Sequence, residues 1–588
     1  MFSSAPPKVK QPSGDSFLKT TTWGRRVALL SLITLLAAGL ALGDGQKRKL
    51  SRDLEALKGG HNGARVDVII QFNQTPTAAH HQKVQSQGGV LKRKFDFIKA
   101  AHYSVPAEAL DALANDPDVA YISPNRKVKG SLDHVVSAVN ADLALASGWN
   151  GTGVGVAVLD SGVDPNDPDM NSDGNQVPSR LVYSENFVTA EPTTSDLYGH
   201  GTHVAGIIAG NGYDSLFTAT YPGVYRGIAP EANIISFRVL DSTGAGTDSY
   251  LIAAVQEAIT LQSTYNIRVI NLSVARGIYE SYTLDPLCQA VESAWNAGIV
   301  VVVAAGNMGE YYDAGTSGYA TIGAPGNDPY VITVGATNTH GTGSQSSQTM
   351  TSYSSKGPTA FDHIVKPDLV APGNGVVSRM STGGNTLLTE QPLFAVYPCD
   401  SSRATCGSQF GASNYMRLSG TSMATPVVSG VAALLLQQTP SLTPDQVKAR
   451  LMKAAWKGFS SSSTATNLGT GTVFTIEQDM FSIGAGAVDA SAALASTDLA
   501  PATFGSAKSP TVYCDPLTNS VSIVGDPSTV WGNSAVWGNS VVWGNSVVWG
   551  NSVVWGNSVV WGNSVVWGNS VVWGNSVVWG NSILGGDQ

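Results

Sequence analysis

Three short segments of this 588-residue chain carry side chains able to act together on a carbonyl carbon. Asp160 lies in Asp160-Ser161-Gly162, His200 opens His200-Gly201-Thr202-His203, and Ser422 sits in Gly420-Thr421-Ser422-Met423-Ala424. A serine hydroxyl is a weak nucleophile until an imidazole takes its proton, and the imidazole works best when a buried carboxylate fixes its tautomer. Acid, base and nucleophile in that chain order make acyl transfer the expected chemistry. No Glu adjoins the two histidines as in His-Glu-x-x-His, so His203 is read as structural rather than as half of a metal pair.

Each candidate is joined to an element that would position it. Val154 to Leu159 is an apolar run that ends in Asp-Ser-Gly, the pattern of a buried strand delivering Asp160 at its carboxyl end. Ligand sites in open α/β sheets lie at that edge. His200 and Ser422 each precede a small-residue and aliphatic stretch that reads as a buried helix, and a nucleophile at a helix start has unpaired backbone N–H groups beside it. Further strands are expected at Ile234 to Leu240, Arg268 to Ser273, Gly298 to Asn307 and Tyr330 to Gly335. Helices are expected at Ser249 to Leu261 and Asp285 to Ala297. Strands alternating with helices imply a parallel sheet covered on both faces.

These segments, from about Ser137 to Ala495, resemble the subtilisin-like serine proteases (subtilases), which share the Asp, His, Ser order. The resemblance implies an α/β fold, a mostly parallel sheet flanked by helices and preceded by a small α+β propeptide domain; the hexapeptide-repeat β tail that follows is read from its own repeat. It implies a serine endopeptidase working through Asp160, His200 and Ser422 and an acyl-enzyme. Asn307, at the end of Val303-Ala304-Ala305-Gly306-Asn307, resembles the family's oxyanion asparagine, with the Ser422 backbone N–H as second donor. Extended peptide would add a strand between two edges, Gly244-Ala245-Gly246 and Ser273-Val274-Ala275. Ala304, Ala305, Gly306 and Gly323 would flank the primary pocket. Val274-Ala275-Arg276 departs from the family's usual Leu-Gly-Gly, so the added methyls and guanidinium are expected to narrow the pocket entrance. Gly323, at the position of the pocket floor, leaves room for a large side chain.

The resemblance extends to processing and metal. Arg25-Arg26 followed by the apolar run Val27 to Leu42 reads as a secretory signal, residues 1–43, with a retained anchor or a twin-arginine signal as alternatives. Residues 44–130 read as an inhibitor-like propeptide with strands at Val66 to Phe72, Phe95 to Val105 and Val119 to Ile122 and helices around Ala78 to Gln87 and Pro106 to Ala114. The alternative is a permanent accessory domain. As a propeptide it would be an intramolecular inhibitor, and self-cleavage is expected between about Val128 and Ser137. Asp169, nine residues after Asp160, resembles a subtilase calcium ligand, and calcium takes hard oxygen donors; the other reading is a turn-forming Asp-Pro-Asp. Asn211 to Arg226 departs from the family's calcium loop. No cofactor is needed for the chemistry itself.

Residues 1–130 carry 19 Lys+Arg against 10 Asp+Glu and the remainder 15 against 33, which gives +9 and −18 and the overall −9. A basic leader facing an acidic enzyme favours their association and excludes nucleic acid as the mature partner; protein or peptide substrates remain. An exported chain can oxidise its cysteines, and Cys399 and Cys406 are close enough to bridge a loop before Ser422; Cys288 and Cys514 are unassigned.

The catalytic domain is expected over 131–495, a linker over 496–529 and repeats over 530–588. From Trp531 to Trp579 a tryptophan recurs every six residues, nine times, in Trp-Gly-Asn-Ser-Val-Val units. Six residues advance an α-helix by about 240°, scattering the tryptophans, so turns at Gly-Asn with short strands between them fit better, as a meander or a β-solenoid. The tail's partner is not given by the sequence: a surface, a polysaccharide, copies of itself or none. Two functions follow, a secreted endopeptidase made as a zymogen, or a repeat-bearing surface or adhesive protein with an inert protease-like domain. Retention of Asp160, His200, Asn307 and Ser422 together favours the first.

Overall fold

The structure is a computed structural model that describes residues 49–51, 54, 65–95, 99–124, 132–171, 179–218, 221–310, 317–382, 385–400, 405–515, 520–524 and 587. The signal expected at 1–43 and the Trp531 to Trp579 repeats lie outside the described residues, as does part of the segment expected to be cut. No helix among the described residues is long and apolar enough to cross a membrane. The chain divides into two units, Met1–Val128 and Lys129–Gln588.

Among its described residues the first unit holds a four-stranded antiparallel sheet and helices. Strands β1 (Arg65–Phe72), β2 (Val90–Phe95), β3 (Ala100–Pro106) and β4 (Val119–Pro124) stand in the order β2-β3-β1-β4, with helices α1 (Ala78–Ser86) and α2 (Leu110–Asn115). Alternating residues Val68, Ile70 and Phe72 of β1 and Ala101, Tyr103 and Val105 of β3 share one buried core. The strand expected from Phe95 to Val105 is two strands: the basic run Val90–Phe95 pairs antiparallel with Ala100–Pro106. Its exposed Lys-Arg-Lys hid the first strand in the sequence, since only Leu91 and Phe95 are partly buried.

The second unit is built on strands β5 (Gly155–Asp160), β6 (Leu181–Asn186), β7 (Asn233–Arg238), β8 (Ile267–Leu272), β9 (Val300–Ala304), β10 (Ile332–Asn338), β11 (Thr349–Met350) and β12 (Leu369–Pro372). Their order is β11-β10-β9-β8-β5-β7-β6, with β12 also on β10, and only β11 runs antiparallel. Strands β5, β9 and β10 are buried along their whole length, and β5 up to Leu159 and the whole of β9 accordingly read as unbroken apolar runs. Helices α3 (His200–Ala209), α4 (Asp248–Thr260), α5 (Pro286–Asn296) and α6 (Thr421–Gln438) belong to the same unit. Helix α6 packs against α3, β8, β9 and β10, and sixteen consecutive residues from Thr421 to Leu436 are buried. A helix apolar on all sides is a central one.

Within the expected linker 496–529, residues 496–515 and 520–524 are described and are instead folded. Strands Thr511–Asp515 and Ser520–Val524 pair as a hairpin, and Ala500, Ala507 and Val512 join the main core. Ser509 is buried between Asp368, 2.5 Å from its hydroxyl, and the Lys448 ammonium at 2.8 Å. The linker reading rests on the resemblance of Gly484 to Ala490 to the end of a subtilase domain; the sequence does not show that polar groups beyond it satisfy a buried Lys-Asp pair.

Candidate active site

Strand β5 runs in the middle of the sheet, with β8 on one side and β7 on the other, so its carboxyl end opens at a switch in strand order. That end is Asp160, and its side chain is fully buried. Asp160 Oδ1 accepts a hydrogen bond from His200 Nδ1 at 2.8 Å and another from the Ser161 N–H at 2.8 Å. Contact this close between strand end and helix start needs a glycine after the histidine. A Cβ on Gly201 would lie 2.1 Å from the Gly162 carbonyl oxygen and 3.2 Å from Asp160 Cβ.

A residue that sequence reasoning missed holds the histidine. Asp196, fully buried, accepts from the N–H groups of Gly199 (2.7 Å) and Thr202 (2.8 Å) and from the Ser161 hydroxyl (2.8 Å); that hydroxyl in turn accepts from the Gly201 N–H at 2.9 Å. It therefore satisfies the first free amides of α3 as a cap would, from outside the usual cap position. Burial raises the Asp196 pKa. Its only sequence signal was an acid four residues ahead of a helix start. Burial alone would lower the His200 pKa, but the charge and hydrogen bond of Asp160, with the charge of Asp196, outweigh it and hold the imidazole above its ordinary value. His203 is the reverse case. Burial and the neighbouring His200 push it down to about 3, and its Nε2 is shared by the carbonyls of Val376 and Met416 at 3.2 Å each. It is a neutral structural histidine.

Ser422 is the second residue of α6, so its backbone N–H has no partner within the helix. Pro426 stands four residues on and has no N–H to offer the Ser422 carbonyl. The Ser273 hydroxyl takes that role at 2.8 Å, and Ser422 Oγ lies 3.2 Å from the Ser273 carbonyl oxygen. Asn271 and Ser429 continue this buried chain, with Asn271 Nδ2 donating to Ser273 Oγ and Ser429 Oγ to Asn271 Oδ1. The nucleophile's helix is thereby tied to the end of β8, which carries one of the expected substrate edges.

Asn307 lies three residues past β9. Its Oδ1 accepts from the Thr421 N–H at 2.8 Å and the Thr421 hydroxyl at 3.0 Å, which turns its Nδ2 away as the available donor. Thr421 also receives the Gly306 N–H at 3.2 Å. Two donors, Asn307 Nδ2 and Ser422 N–H, are thus fixed beside one candidate nucleophile.

The expected pocket residues come together. Gly323 N–H donates to the Ala305 carbonyl at 3.0 Å, and Arg276 and Ala324 exchange backbone hydrogen bonds at 2.9 and 2.8 Å. Ala304, Ala305, Gly306, Gly323, Ala275 and the segment through Ser273 and Val274 therefore form adjoining walls. A Cβ on Gly323 would meet Ala275 Cβ and the Arg276 carbonyl at 2.9 Å, so the wall admits no side chain there. Gly244 and Gly246 sit in a turn with Ala245, closed by Asp241 N–H to the Ala245 carbonyl at 2.8 Å, and a Cβ on Gly244 would strike the Tyr198 ring at 2.5 Å. The expectation that the Arg276 guanidinium narrows the entrance is corrected. It binds both oxygens of buried Asp285 at 2.8 Å and Asp248 at 2.8 Å, because helix starts at α5 and α4 supply the carboxylates. The Ala275 methyl alone remains at the pocket wall.

Cys399 and Cys406 are bridged, and Cys288 is a buried free thiol beside Asn327 whose pKa burial drives up. The loop holding the bridge is anchored on the histidine side: Thr386 and Leu387 donate to the carbonyls of Leu197 and Tyr198 at 3.1 Å each.

Asp169 does not offer a metal-binding carboxylate. Its Oδ1 accepts the Asp214 N–H at 2.9 Å and its Oδ2 the Tyr415 hydroxyl at 2.8 Å, and an arginine occupies the space among Asp167, Asp169 and Asp214. The donor set does not fit calcium.

Residues 151–486 match the family model described as Subtilase family, Peptidase_S8. The chain is 36% identical over 414 residues to serine protease AprX of Bacillus subtilis (strain 168), covering 67% of this chain and 84% of that protein. It is 32% identical over 425 residues to subtilisin E of the same organism, covering 71% and 90%. A crystal structure of a cold adapted subtilisin-like serine proteinase aligns at 29% identity over 57% of this chain and 90% of that one, with a TM-score of 0.37. The extent of the family match and of the two Bacillus alignments settles the lineage: this chain belongs to the subtilase family of serine proteases.

Proposed function

We propose that this subtilase is a secreted serine endopeptidase, made as a self-processed zymogen, in which Asp160, His200 and Ser422 are the catalytic triad. The observation that carries the reading is the buried 2.8 Å hydrogen bond from His200 Nδ1 to Asp160, which leaves Nε2 as the basic nitrogen, while Thr421 orients Asn307 beside Ser422. Ser422 Oγ attacks the scissile carbonyl carbon and its proton passes to His200 Nε2. The oxyanion is received by Asn307 Nδ2 and the Ser422 N–H, the C–N bond breaks, and the leaving amine takes the proton from His200. Water, deprotonated by the same imidazole, then hydrolyses the acyl-enzyme.

Protein or peptide substrates lie extended between the turn at Gly244 to Gly246 and the segment at Ser273 to Ala275, with the side chain before the scissile bond in the pocket of Ala304, Ala305, Gly306 and Gly323. The first unit acts as intramolecular inhibitor until it is cut away, and the basic-apolar leader directs export. The test is labelling of the full chain with a fluorophosphonate. Mass spectrometry should find the adduct on Ser422 in wild type and on no residue in Ser422→Ala, and casein hydrolysis should be lost with it. Labelling that persists in Ser422→Ala would contradict the assignment.

A further inference from the structure

Arg379 ends strand β13 (Val376–Arg379), and its guanidinium reaches into the loops that follow Asp160 and His200. Its Nε lies 2.6 Å from Asp167 Oδ1 and 3.9 Å from Asp169 Oδ2, and its Nη1 donates to Asp214 Oδ2 at 2.6 Å. The side chain is 2% exposed, and its three carboxylate neighbours are buried with it. Its plane stands 4.8 Å from the centroid of the Tyr415 ring, and Tyr221 and Tyr225 pack on that ring at 5.0 and 4.8 Å. Tyr415 belongs to strand β14 (Tyr415–Leu418), pairs directly with Arg379, and gives its hydroxyl to Asp169.

The connectivity is as telling as the distances. Asp167 and Asp169 follow Asp160 by seven and nine residues, Asp214 follows the helix that His200 opens, and β14 leads into Ser422. One cation therefore ties together the three segments that carry the candidate triad. Calcium would do this through several oxygens at once. A guanidinium does it with a planar fork of N–H donors, keeps its charge at any working pH, and stacks on an aromatic face. The departure of Asn211 to Arg226 from the family's calcium loop has the same cause: this segment supplies Asp214 to an arginine, and Tyr221 and Tyr225 to the arginine's aromatic floor.

We propose that Arg379 is a covalently built-in substitute for calcium at Asp169, so that this part of the catalytic unit folds and holds its geometry with no divalent ion bound there. The experiment uses full-length Ser422→Ala protein, which does not digest itself. Calcium bound per chain is measured by equilibrium dialysis with and without Asp169→Asn, an isosteric change at the expected ligand. Equal stoichiometry in the two is the expected result, whatever other calcium the chain takes up. Arg379→Met, which keeps length and removes charge, should lower the melting temperature in chelator by roughly 5–10 °C. One calcium fewer in Asp169→Asn, or an Arg379→Met protein that melts with its parent, would overturn the proposal. The dialysis comparison stands even if the methionine variant fails to fold.

Discussion

In the proposed mechanism Asn307 and His200 act on different quantities, which makes their roles separable. Asn307 Nδ2 is aimed by Thr421 at charge that exists only after attack, so Asn307→Ala is expected to lower kcat by about 10²- to 10³-fold and leave KM nearly unchanged. Steady-state kinetics on a peptide anilide reads this directly. His200 must be neutral to accept a proton, and Asp160 holds its pKa above the ordinary value. The acid limb of kcat/KM should therefore have its midpoint above about 6.5, with activity lost below it, and Asp160→Asn should move the limb to lower pH as well as reduce the rate. At the pocket, removal of one methyl is worth about 1 kcal/mol or more. Ala275→Gly should accordingly raise kcat/KM for Phe over Ala before the scissile bond by about fivefold or more, since Ala275 Cβ covers the face of Gly323.

At the scale of elements, the pocket segment is held by Arg276 rather than obstructed by it. Its bond to Asp285, whose side chain is fully buried, clamps the segment after β8 to the start of α5. Arg276→Ala leaves that carboxylate unpaired and should cost about 3 kcal/mol of stability, measured by chemical denaturation on the Ser422→Ala background; Asp248, far more exposed, adds little. The buried strands and central helices were legible because an unbroken apolar run followed by Asp-Ser-Gly or Ala-Gly-Asn is a pattern with few other solutions. Side-chain direction was not. Whether Arg276 faces the cleft or α5, and whether Asp169 faces an ion or Arg379, depends on partners 9 to 210 residues away in sequence. Asp196 escaped for the same reason, since it caps α3 through side-chain reach and not through cap spacing. The strand Val90–Phe95 was hidden because its basic residues face away from the core.

The whole chain keeps its two units on opposite sides of neutrality, a basic leader region and an acidic catalytic one. The folded part of the second unit extends through the hairpin at 511–524, so removal of residues from Thr511 onward should destabilise it, whereas the sequence alone suggested a free linker. Asp587, beyond the repeats, is again held by this unit: its carboxylate accepts from the Ser352 hydroxyl at 2.7 Å and its backbone carbonyl from Asn338 and Asn374 at 3.0 and 2.9 Å. Hydrogen exchange at the Ser352 amide should accelerate in Asp587→Ala.

In the proposed mechanism one centre, built on Ser422, both cuts the precursor and digests substrate. The most direct test follows the mass of the full chain over time for wild type and Ser422→Ala. Wild type alone should be cut between about Val128 and Ser137 and then hydrolyse casein, while Ser422→Ala stays at precursor mass. Cleavage of both proteins at the same bond, or an uncut and inactive wild type, would contradict it.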